Sequence, residues 1–222
     1  DQAILKDQHP SYRVLNLNNP FAETTTSYYH KSIGGYHAAK LKRYQELIDS
    51  RLDGEVNQII GTFSSQNIDT IMASFNKTKA LNMLNAKYVI YHPEQPPLVN
   101  PNAMGNAWFV NEYKLVNNAD EEIAAINTLD PHTTAVVDKR FESELSGLKI
   151  TPDSTATIEL VSYKPDVLTY KTKAASEQLA VLSEIYFSNG WQAYVDGKEV
   201  PHFRADWTLR AMRVPAGEHE IV

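Results

Sequence analysis

The stretch at residues 27–37, SYYHKSIGGYH, carries the densest set of side chains that could do chemistry in this 222-residue sequence. Tyrosine rings can stack on the apolar faces of sugars, and imidazole and ammonium groups can hold hydroxyls or a phosphate. Gly34 and Gly35 could let backbone N–H groups approach a ligand. We take six side chains of this Tyr-His loop as candidate ligand-binding residues: Tyr28, Tyr29, His30, Lys31, Tyr36 and His37. The alternative, that the tyrosines pack the loop onto a sheet, stays open.

A second group of aromatic and charged side chains lies near the C-terminus and comprises Trp191, Tyr194, His202, Arg204 and Trp207. Many carbohydrate-binding modules present such side chains on a β-sandwich, although a tryptophan in a small sandwich more often fills the core. We expect Trp191 in the core. Trp207 follows Asp206 between two predicted strands, so we expect it to be exposed. Trp207 and Arg204 are therefore candidate ligand contacts as well.

The sequence motifs of the common enzyme classes are missing. The chain has no G-x-S-x-G, H-E-x-x-H, Walker or dinucleotide-binding glycine motif, and without cysteine it has no thiol nucleophile. His30 and His37 have no carboxylate beside them at ligand spacing, so we predict no metal site and no cofactor. Asp196 stands before Gly197 in a two-residue hairpin signal, which explains it better than a catalytic role does. We predict no catalytic residue in this chain.

Charge and hydropathy exclude some partners. The formal net charge of -6 argues against nucleic-acid binding, which needs concentrated Lys and Arg. The small basic cluster of Lys40, Lys42 and Arg43 suits the solvent face of an amphipathic helix, or alternatively a patch that faces anionic lipid head groups. No apolar run approaches the ~18–20 residues that cross a bilayer. Because the chain opens without Met and stops inside a predicted strand, we expect a piece of a longer protein whose membrane anchor lies outside it.

The first half of the chain mixes short strands with helices. Alternation and β-branched or aromatic residues predict strands at 12–17, 86–91, 107–116 and 133–137. Apolar residues at helical spacing predict helices around 41–48, 68–75 and 120–129, and a further one that Asn76 caps and Asn85 ends. A mixed sheet with helices is therefore expected over residues 1–147.

Beyond Gly147 the pattern changes to short strands with no helical period between them. The predicted strands cover residues 156–161, 167–172, 179–187, 191–195, 198–200, 209–214 and 218–222. Many short strands separated by turn signals are typical of an antiparallel β-sandwich. We therefore predict an α+β protein with two domains, a small α/β domain at 1–147 and a β-sandwich domain at 148–222.

Three blocks give the chain a likeness to a known family: SYYHKSIGGYHAAKLKRYQELID, KALNMLNAKYVIY and NGWQAYVDGKEVPHFRADWTLRAMRVPAGEHEI. In this order and spacing they resemble the YfhO-like bacterial membrane proteins, in the version found in Bacteroides and relatives. The resemblance implies a large multi-span protein, related to polyprenyl-phosphate-sugar glycosyltransferases, whose soluble part lies on the outer side of the cytoplasmic membrane. The catalytic acid of such enzymes is expected in a loop near the N-terminal membrane region, so the resemblance assigns no catalytic residue here.

Our first hypothesis is therefore an extracytoplasmic domain, inactive alone, that helps to position a lipid-linked sugar donor or a glycan acceptor in cell-envelope glycan modification. Its expected partners are its own membrane-embedded region and a lipid-linked sugar or envelope glycan. The rival hypothesis is a carbohydrate-binding or scaffold module of a cell-envelope protein with no transferase context, in which the sandwich recognises the glycan. A third option, a soluble glycoside hydrolase, requires two carboxylates that face a cleft at about 5–9.5 Å from each other.

Overall fold

A computed structural model describes residues 2–9 and 12–222, and the chain divides into two compact units, Asp1–Gly105 and Asn106–Val222. Helices and sheets both contribute, which confirms the prediction of an α+β protein. Among the residues that the structure describes, no helix combines the length and the apolar character that crossing a membrane requires.

The first unit contains a small mixed sheet and a series of short helices. Its strands are β1 (Arg13–Asn16), β2 (Ala86–Ile90) and β3 (Leu98–Val99); β1 runs parallel to β2, and β3 antiparallel to it. Its α-helices are α1 (Gln2–Leu5), α2 (Thr25–Tyr29), α3 (Lys42–Leu47), α4 (Asp53–Thr62), α5 (Ile68–Ser74) and α6 (Lys79–Met83). A π-helical segment (Ile48–Leu52) joins α3 to α4, and 3-10 turns (Phe63–Ser65 and Phe75–Lys77) follow α4 and α5.

Helix α6 begins two residues later than the sequence predicts, at Lys79 after the N-cap position Thr78, and ends as predicted. Asn76 lies in the preceding 3-10 turn instead of capping the helix. The first backbone N–H groups of α6 are satisfied from α4, because the Glu55 carboxylate accepts hydrogen bonds from Ala80 and Leu81, both at 2.9 Å. Asn85 closes the helix with φ at 57°, the left-handed conformation that asparagine tolerates.

The second unit is built mainly from two antiparallel sheets. Its strands are β4 (Ala107–Val110), β5 (Glu112–Val116), β6 (Thr134–Asp138), β7 (Thr157–Tyr163), β8 (Leu168–Ala174), β9 (Gln178–Ile185), β10 (Ala193–Val195), β11 (Lys198–Val200), β12 (Phe203–Ala205), β13 (Leu209–Val214) and β14 (Gly217–Ile221). One sheet has the order β11-β10-β14-β8-β7 and the other the order β12-β13-β9-β4. The parallel pair β5 and β6 is joined through helix α7 (Ala119–Ala125), and a 3-10 segment (Lys139–Leu145) follows β6.

The two antiparallel sheets share one apolar core, as in a β-sandwich. Leu168 and Tyr170 of β8 contribute to it from the five-stranded sheet, and Leu182 of β9 and Met212 of β13 from the four-stranded sheet. Asp196 and Gly197 connect β10 to β11 with φ values of 49° and 78°, so the predicted two-residue hairpin is present.

The division between the units falls at Gly105, not near residue 147 where the change of sequence pattern predicts it. The reason is that β4 completes the sandwich: it pairs antiparallel with β9, with Trp108 opposite Val181. The predicted single strand at 107–116 is in fact two strands, β4 in the sandwich and β5 paired with β6. Residues 106–147 therefore belong to the same unit as the sandwich, and the sequence pattern of these residues does not reveal this.

Candidate functional site

A small cavity in the first unit lies at the edge of the sheet where β1 and β2 both end. Asn16 and Ile90, the last residues of these parallel strands, are register partners. Ligands of α/β sheets commonly bind outside the carboxyl ends of parallel strands. The cavity has a volume of about 140 Å³, and its polar lining includes Asn16, Thr25, Tyr29, His30, His92 and Gln95.

Two local hydrogen bonds close the ends of helix α2, and a third ties the helix to the end of β1. The Thr26 backbone N–H donates to the Glu23 carboxylate at 3.0 Å, and the His30 N–H donates to the Thr26 carbonyl at 2.8 Å. The Asn16 carboxamide donates to the Thr26 hydroxyl at 3.1 Å, which ties the helix to the strand. Tyr29 and His30 are thereby placed beside the strand end.

The residues after His30 run parallel to β1 and anchor the loop. The Val14 N–H donates to the Lys31 carbonyl at 2.8 Å, and the Ile33 N–H donates to the Val14 carbonyl at 2.9 Å. Tyr44 of α3 donates from its buried hydroxyl to the Ile33 carbonyl, and burial raises the pKa of Tyr44 to about 12. The Tyr-His loop is therefore a fixed part of the sheet edge.

The two glycines of the loop serve close packing and not the capture of a ligand by backbone N–H groups. A Cβ added at Gly34 would lie 1.6 Å from the Pro20 carbonyl oxygen. Gly35 has φ at 109°, and its N–H donates to that same Pro20 oxygen at 2.8 Å. The Gly34 N–H donates to the Ser32 hydroxyl at 3.1 Å, so both glycine N–H groups already have partners in the chain.

Two histidines give the cavity hydrogen-bonding groups. His30 is 9% exposed, and burial lowers its pKa, which favours the neutral imidazole at neutral pH. His92 is exposed and accepts a hydrogen bond at Nδ1 from the Glu94 N–H at 3.2 Å, so a neutral ring carries its proton on Nε2 and can donate. The described lining residues include no Lys or Arg. Uncharged hydroxyl groups therefore suit the cavity better than a phosphate.

The tyrosines of the loop are exposed, so they do not pack the loop onto the sheet. Tyr28 is 82% exposed, Tyr29 57% and Tyr36 66%. The rings of Tyr28 and Tyr29 meet edge to face with centroids 4.9 Å apart. Exposed aromatic rings beside a polar cavity are a common arrangement for stacking on a sugar.

The structure brings some of the six candidate loop residues to the cavity and leaves others away from its lining. Tyr29 and His30 line it, and Tyr28 contacts Tyr29. Tyr36 and His37 are exposed and outside the lining, and the His37 Nδ1 accepts from the Ala39 N–H at 3.1 Å. Lys31 is also outside the lining.

Sequence reasoning missed the part of the lining that comes from the strand ends, namely Asn16, His92 and Gln95. Asn16 lies at the end of β1, and the other two follow β2 in the Pro-rich loop. The parallel pairing of β1 with β2 would have brought them together, because parallel strands end at the same edge. That pairing joins strands about 70 residues apart and has no local sequence signal.

The expectation that Trp207 is exposed is wrong: it is 4% exposed, and Arg204 is 6% exposed. The turn after β12 has φ of 48° at Asp206 and 72° at Trp207. The Trp207 N–H donates to the buried Glu122 carboxylate at 3.3 Å, and the Arg204 guanidinium lies 3.2 Å from Glu122 and 3.7 Å from Asp138. Arg204 and Trp207 thus belong to a buried ionic cluster.

Trp191, expected in the core, is only partly buried at its margin. The guanidinium of Arg210 lies 3.9 Å from the centre of its ring, a close cation–π contact. Arg210 also pairs with the buried Glu184 at 3.4 Å. Trp191 therefore packs at the margin of the core, covered on one face by Arg210.

The described lining of this cavity contains no pair of acids, and the described residues contain no cluster of metal ligands. Within residues 2–9 and 12–222, no group of three His, Asp or Glu side chains could hold a metal ion. The described lining of the cavity has no carboxylate, so it lacks the pair of acids that a glycosidase needs. Comparison of the chain with protein-family models, with curated proteins and with solved structures finds no match.

Proposed function

We propose that this chain is the extracytoplasmic, non-catalytic part of a membrane protein that resembles polyprenyl-phosphate-sugar glycosyltransferases. In this proposal the cavity beside the Tyr-His loop holds one sugar ring of a lipid-linked donor or of a glycan acceptor. The supporting observation is the cavity itself, which joins hydrogen-bonding groups to the exposed Tyr29 ring at the carboxyl ends of β1 and β2.

The size of the cavity suits one sugar ring. A volume of about 140 Å³ has room for several water-sized groups, which is the scale of one sugar ring and not of a longer glycan. The Thr25 hydroxyl, the Gln95 carboxamide and the two imidazoles can donate or accept hydrogen bonds with sugar hydroxyls. The Tyr29 ring offers an apolar surface for the C–H face of the same sugar.

Binding to simple glycosides tests this proposal. A single sugar ring held at about 0.3 kcal/mol per atom gives a Kd on the order of 1 mM, so we would titrate the chain with methyl glucoside, galactoside, mannoside and N-acetylglucosaminide by NMR. We expect Tyr29→Ala to weaken binding of the best glycoside about fivefold to tenfold, because it removes the stacking surface. Tyr36→Ala is the matched control, since Tyr36 is also exposed but lies outside the lining, and we expect less than a twofold effect.

The transferase context is tested separately from the sugar site. The full-length protein in membranes should transfer sugar, and the isolated chain should not, because the acid is expected outside this chain. Turnover by the isolated chain would contradict the proposal. Binding of glycosides with no transfer by the full-length protein would instead favour the carbohydrate-binding module without a transferase role.

A further inference from the structure

One surface of the first unit combines exposed aromatic and apolar side chains with basic ones. Tyr28 and Tyr36 are exposed, and Leu41 is 44% exposed. Residues 36–45 contain three basic side chains and no acidic one, in a chain whose net charge is -6. We call this the basic-aromatic surface, and it comprises Tyr28, Tyr36, Lys40, Leu41, Lys42 and Arg43. These residues lie outside the described lining of the sugar cavity.

Tyr28 and Tyr36 stand on adjoining segments because the fold brings their neighbours into contact. A Cβ added at Gly35 would lie 2.6 Å from the Ser27 hydroxyl oxygen. Each of these two residues directly precedes one of the tyrosines. The Tyr36 N–H donates to the Glu23 carbonyl at 3.2 Å, which ties the loop to the chain just before α2. The two tyrosines therefore belong to one surface.

The basic side chains lie at the start of α3, where they do not favour the helix. Lys40 precedes the helix, so the interpretation of the cluster as a helix face covers only Lys42 and Arg43. Positive charges in the first turn oppose the helix dipole. The N-cap is Leu41, which has no side-chain oxygen to accept from the first N–H groups. The buried hydroxyl of Tyr44 holds this end of the helix on the loop instead, so helix stability does not explain these residue types.

Two acidic residues flank this segment and leave its charge positive. The Glu23 carboxylate accepts from the Thr26 N–H at 3.0 Å, at the start of α2. Glu46 lies 3.6 Å from the Lys42 ammonium, and this pair is weak because the lysine side chain is 89% exposed. Counting both acids, residues 23–46 carry four basic side chains against two acidic ones. An anionic surface can therefore attract this segment although the chain as a whole is acidic.

We propose that the basic-aromatic surface binds the headgroup layer of an anionic lipid bilayer. Its basic side chains face the lipid phosphates, and its two tyrosine rings lie at headgroup level, where amphipathic aromatic rings are favoured. Leu41 reaches the boundary of the acyl chains. The inference is independent of the sugar site, because it uses no residue of that lining.

The composition of this surface fits lipid better than it fits a protein or nucleic acid. Lysine is depleted at protein interfaces, whereas lysine and arginine near a bilayer are attracted by its anionic lipids. Nucleic acid needs a larger basic surface than these three side chains supply, and the chain has a net charge of -6. Lys40 and Lys42 beside exposed tyrosines therefore indicate peripheral, salt-dependent binding to a membrane.

Flotation of the intact chain with lipid vesicles tests this inference. The vesicles contain phosphatidylcholine with about one-third phosphatidylglycerol, and the control vesicles contain phosphatidylcholine alone, which has no net charge. We expect binding to the anionic vesicles at ~0.1 M salt, at least about tenfold weaker binding to the neutral ones, and release at ~1 M salt, where screening is strong. No binding to the anionic vesicles, or equal binding to both kinds, would overturn the proposal. Release by low millimolar glycerol phosphate would also overturn it, in favour of a soluble anion.

A pair of lysine substitutions tests whether this surface makes the contact. Lys40→Gln with Lys42→Gln should weaken vesicle binding on the order of tenfold, because each basic side chain near a bilayer contributes to the attraction. The matched control is Lys139→Gln with Lys198→Gln, which changes the net charge equally at exposed positions of the second unit. We expect the control pair to change binding less than about twofold. Equal effects of the two pairs would contradict the assignment to this surface.

Leu41→Ser separates membrane contact from folding. Serine can cap α3 where leucine cannot, so the variant should be at least as stable as the unchanged chain in urea unfolding. Vesicle binding should weaken about threefold, because an apolar side chain leaves the bilayer. Ile60→Ser in α4 is the control, since Ile60 is 43% exposed, and it should leave vesicle binding unchanged. Unchanged binding by Leu41→Ser, or an equal loss in the control, would overturn the contact of Leu41 with lipid.

Discussion

Gly34 shows how strongly a single residue can determine the shape of the Tyr-His loop. Any side chain there would place its Cβ 1.6 Å from the Pro20 carbonyl oxygen, so the backbone must move. We expect Gly34→Ala to lower the free energy of unfolding of the first unit by roughly 1–3 kcal/mol and to weaken glycoside binding.

Gly54 provides the matched control for this prediction. It lies within α4, and a Cβ added there would meet nothing within 4 Å. We expect Gly54→Ala to raise the free energy of unfolding by about 0.5–1 kcal/mol, because alanine favours the helix. Chemical denaturation followed by circular dichroism measures both variants, and a neutral Gly34→Ala would contradict the close packing.

Asp206 makes the stability of the second unit depend on pH. Complete burial, reinforced by the charge of Glu122, raises the pKa of Asp206 from 3.8 to about 7. The folded state therefore keeps the proton while the unfolded state loses it, and the stability present below pH 4 is lost as the pH rises to 7. This one group should change the free energy of unfolding by a few kcal/mol, on the order of 1.4 kcal/mol for each pH unit.

Asp206→Asn isolates that contribution. Its side-chain oxygen can still accept the 2.7 Å hydrogen bond from the Val136 N–H, and it stays neutral at every pH. We expect the variant to gain stability relative to the unchanged chain as the pH rises from 4.5 to 8, measured by urea unfolding with tryptophan fluorescence. If the difference in the free energy of unfolding between the variant and the unchanged chain stays constant across this pH range, Asp206 is ionised in the fold at neutral pH.

At the scale of elements, helix α6 depends on a carboxylate from α4. Glu55 accepts from the N–H groups of Ala80 and Leu81, both at 2.9 Å. We expect Glu55→Ala to lower the free energy of unfolding of the first unit by roughly 2–4 kcal/mol, because two N–H groups lose their partner. Glu55→Gln should lower the free energy of unfolding less, since its amide oxygen can still accept a hydrogen bond. Asp53→Ala, at an exposed position, should change the free energy of unfolding little. Equal stabilities of the Ala and Gln variants would contradict the capping role.

Elements with local signals could be predicted from the sequence, and those set by distant contacts could not. The β10–β11 hairpin follows from Asp196 and Gly197, whose positive φ angles are a property of the two residues. The split between β4 and β5 has no such signal, because β4 is defined by pairing with β9, about 70 residues later. The burial of Trp207 likewise depends on Glu122, about 85 residues earlier in the chain.

The candidate site, like the fold, could be predicted only in part from the sequence. Tyr29 and His30 stand out by residue type within one short loop. Asn16 and His92 join them only because β1 and β2 pair in parallel, which brings two strand ends to one edge. Residue type thus indicated the chemistry of the site, and sheet topology determined which of these residues share it.

At the scale of the whole molecule, the division at Gly105 predicts which fragment can fold. Residues 106–222 keep β4 beside β9 and Arg204 beside Glu122, whereas residues 148–222 lose both β4 and Glu122. We expect the longer fragment to unfold cooperatively and the shorter one to aggregate or remain unfolded, because a buried arginine without its partner costs about 3–5 kcal/mol. Cooperative unfolding of 148–222 by circular dichroism would restore the boundary near residue 147.

All three tryptophans lie in residues 106–222, so their fluorescence reports on that unit alone. Urea unfolding of the 106–222 fragment and of the full chain should give tryptophan transitions of similar slope. A much smaller slope for the fragment would show that its folding needs the first unit.

The central claim, that the cavity beside the Tyr-His loop holds a sugar ring, is tested most directly by the NMR signals of its two imidazoles. His30 and His92 line the cavity, and His37, in the same loop but outside the lining, is an internal control. Titration with the methyl glycosides should shift the ring signals of His30 and His92 along one saturating curve and leave those of His37 unchanged. Unchanged signals of His30 and His92 at saturating glycoside, or shifts of equal size at His37, would contradict the account.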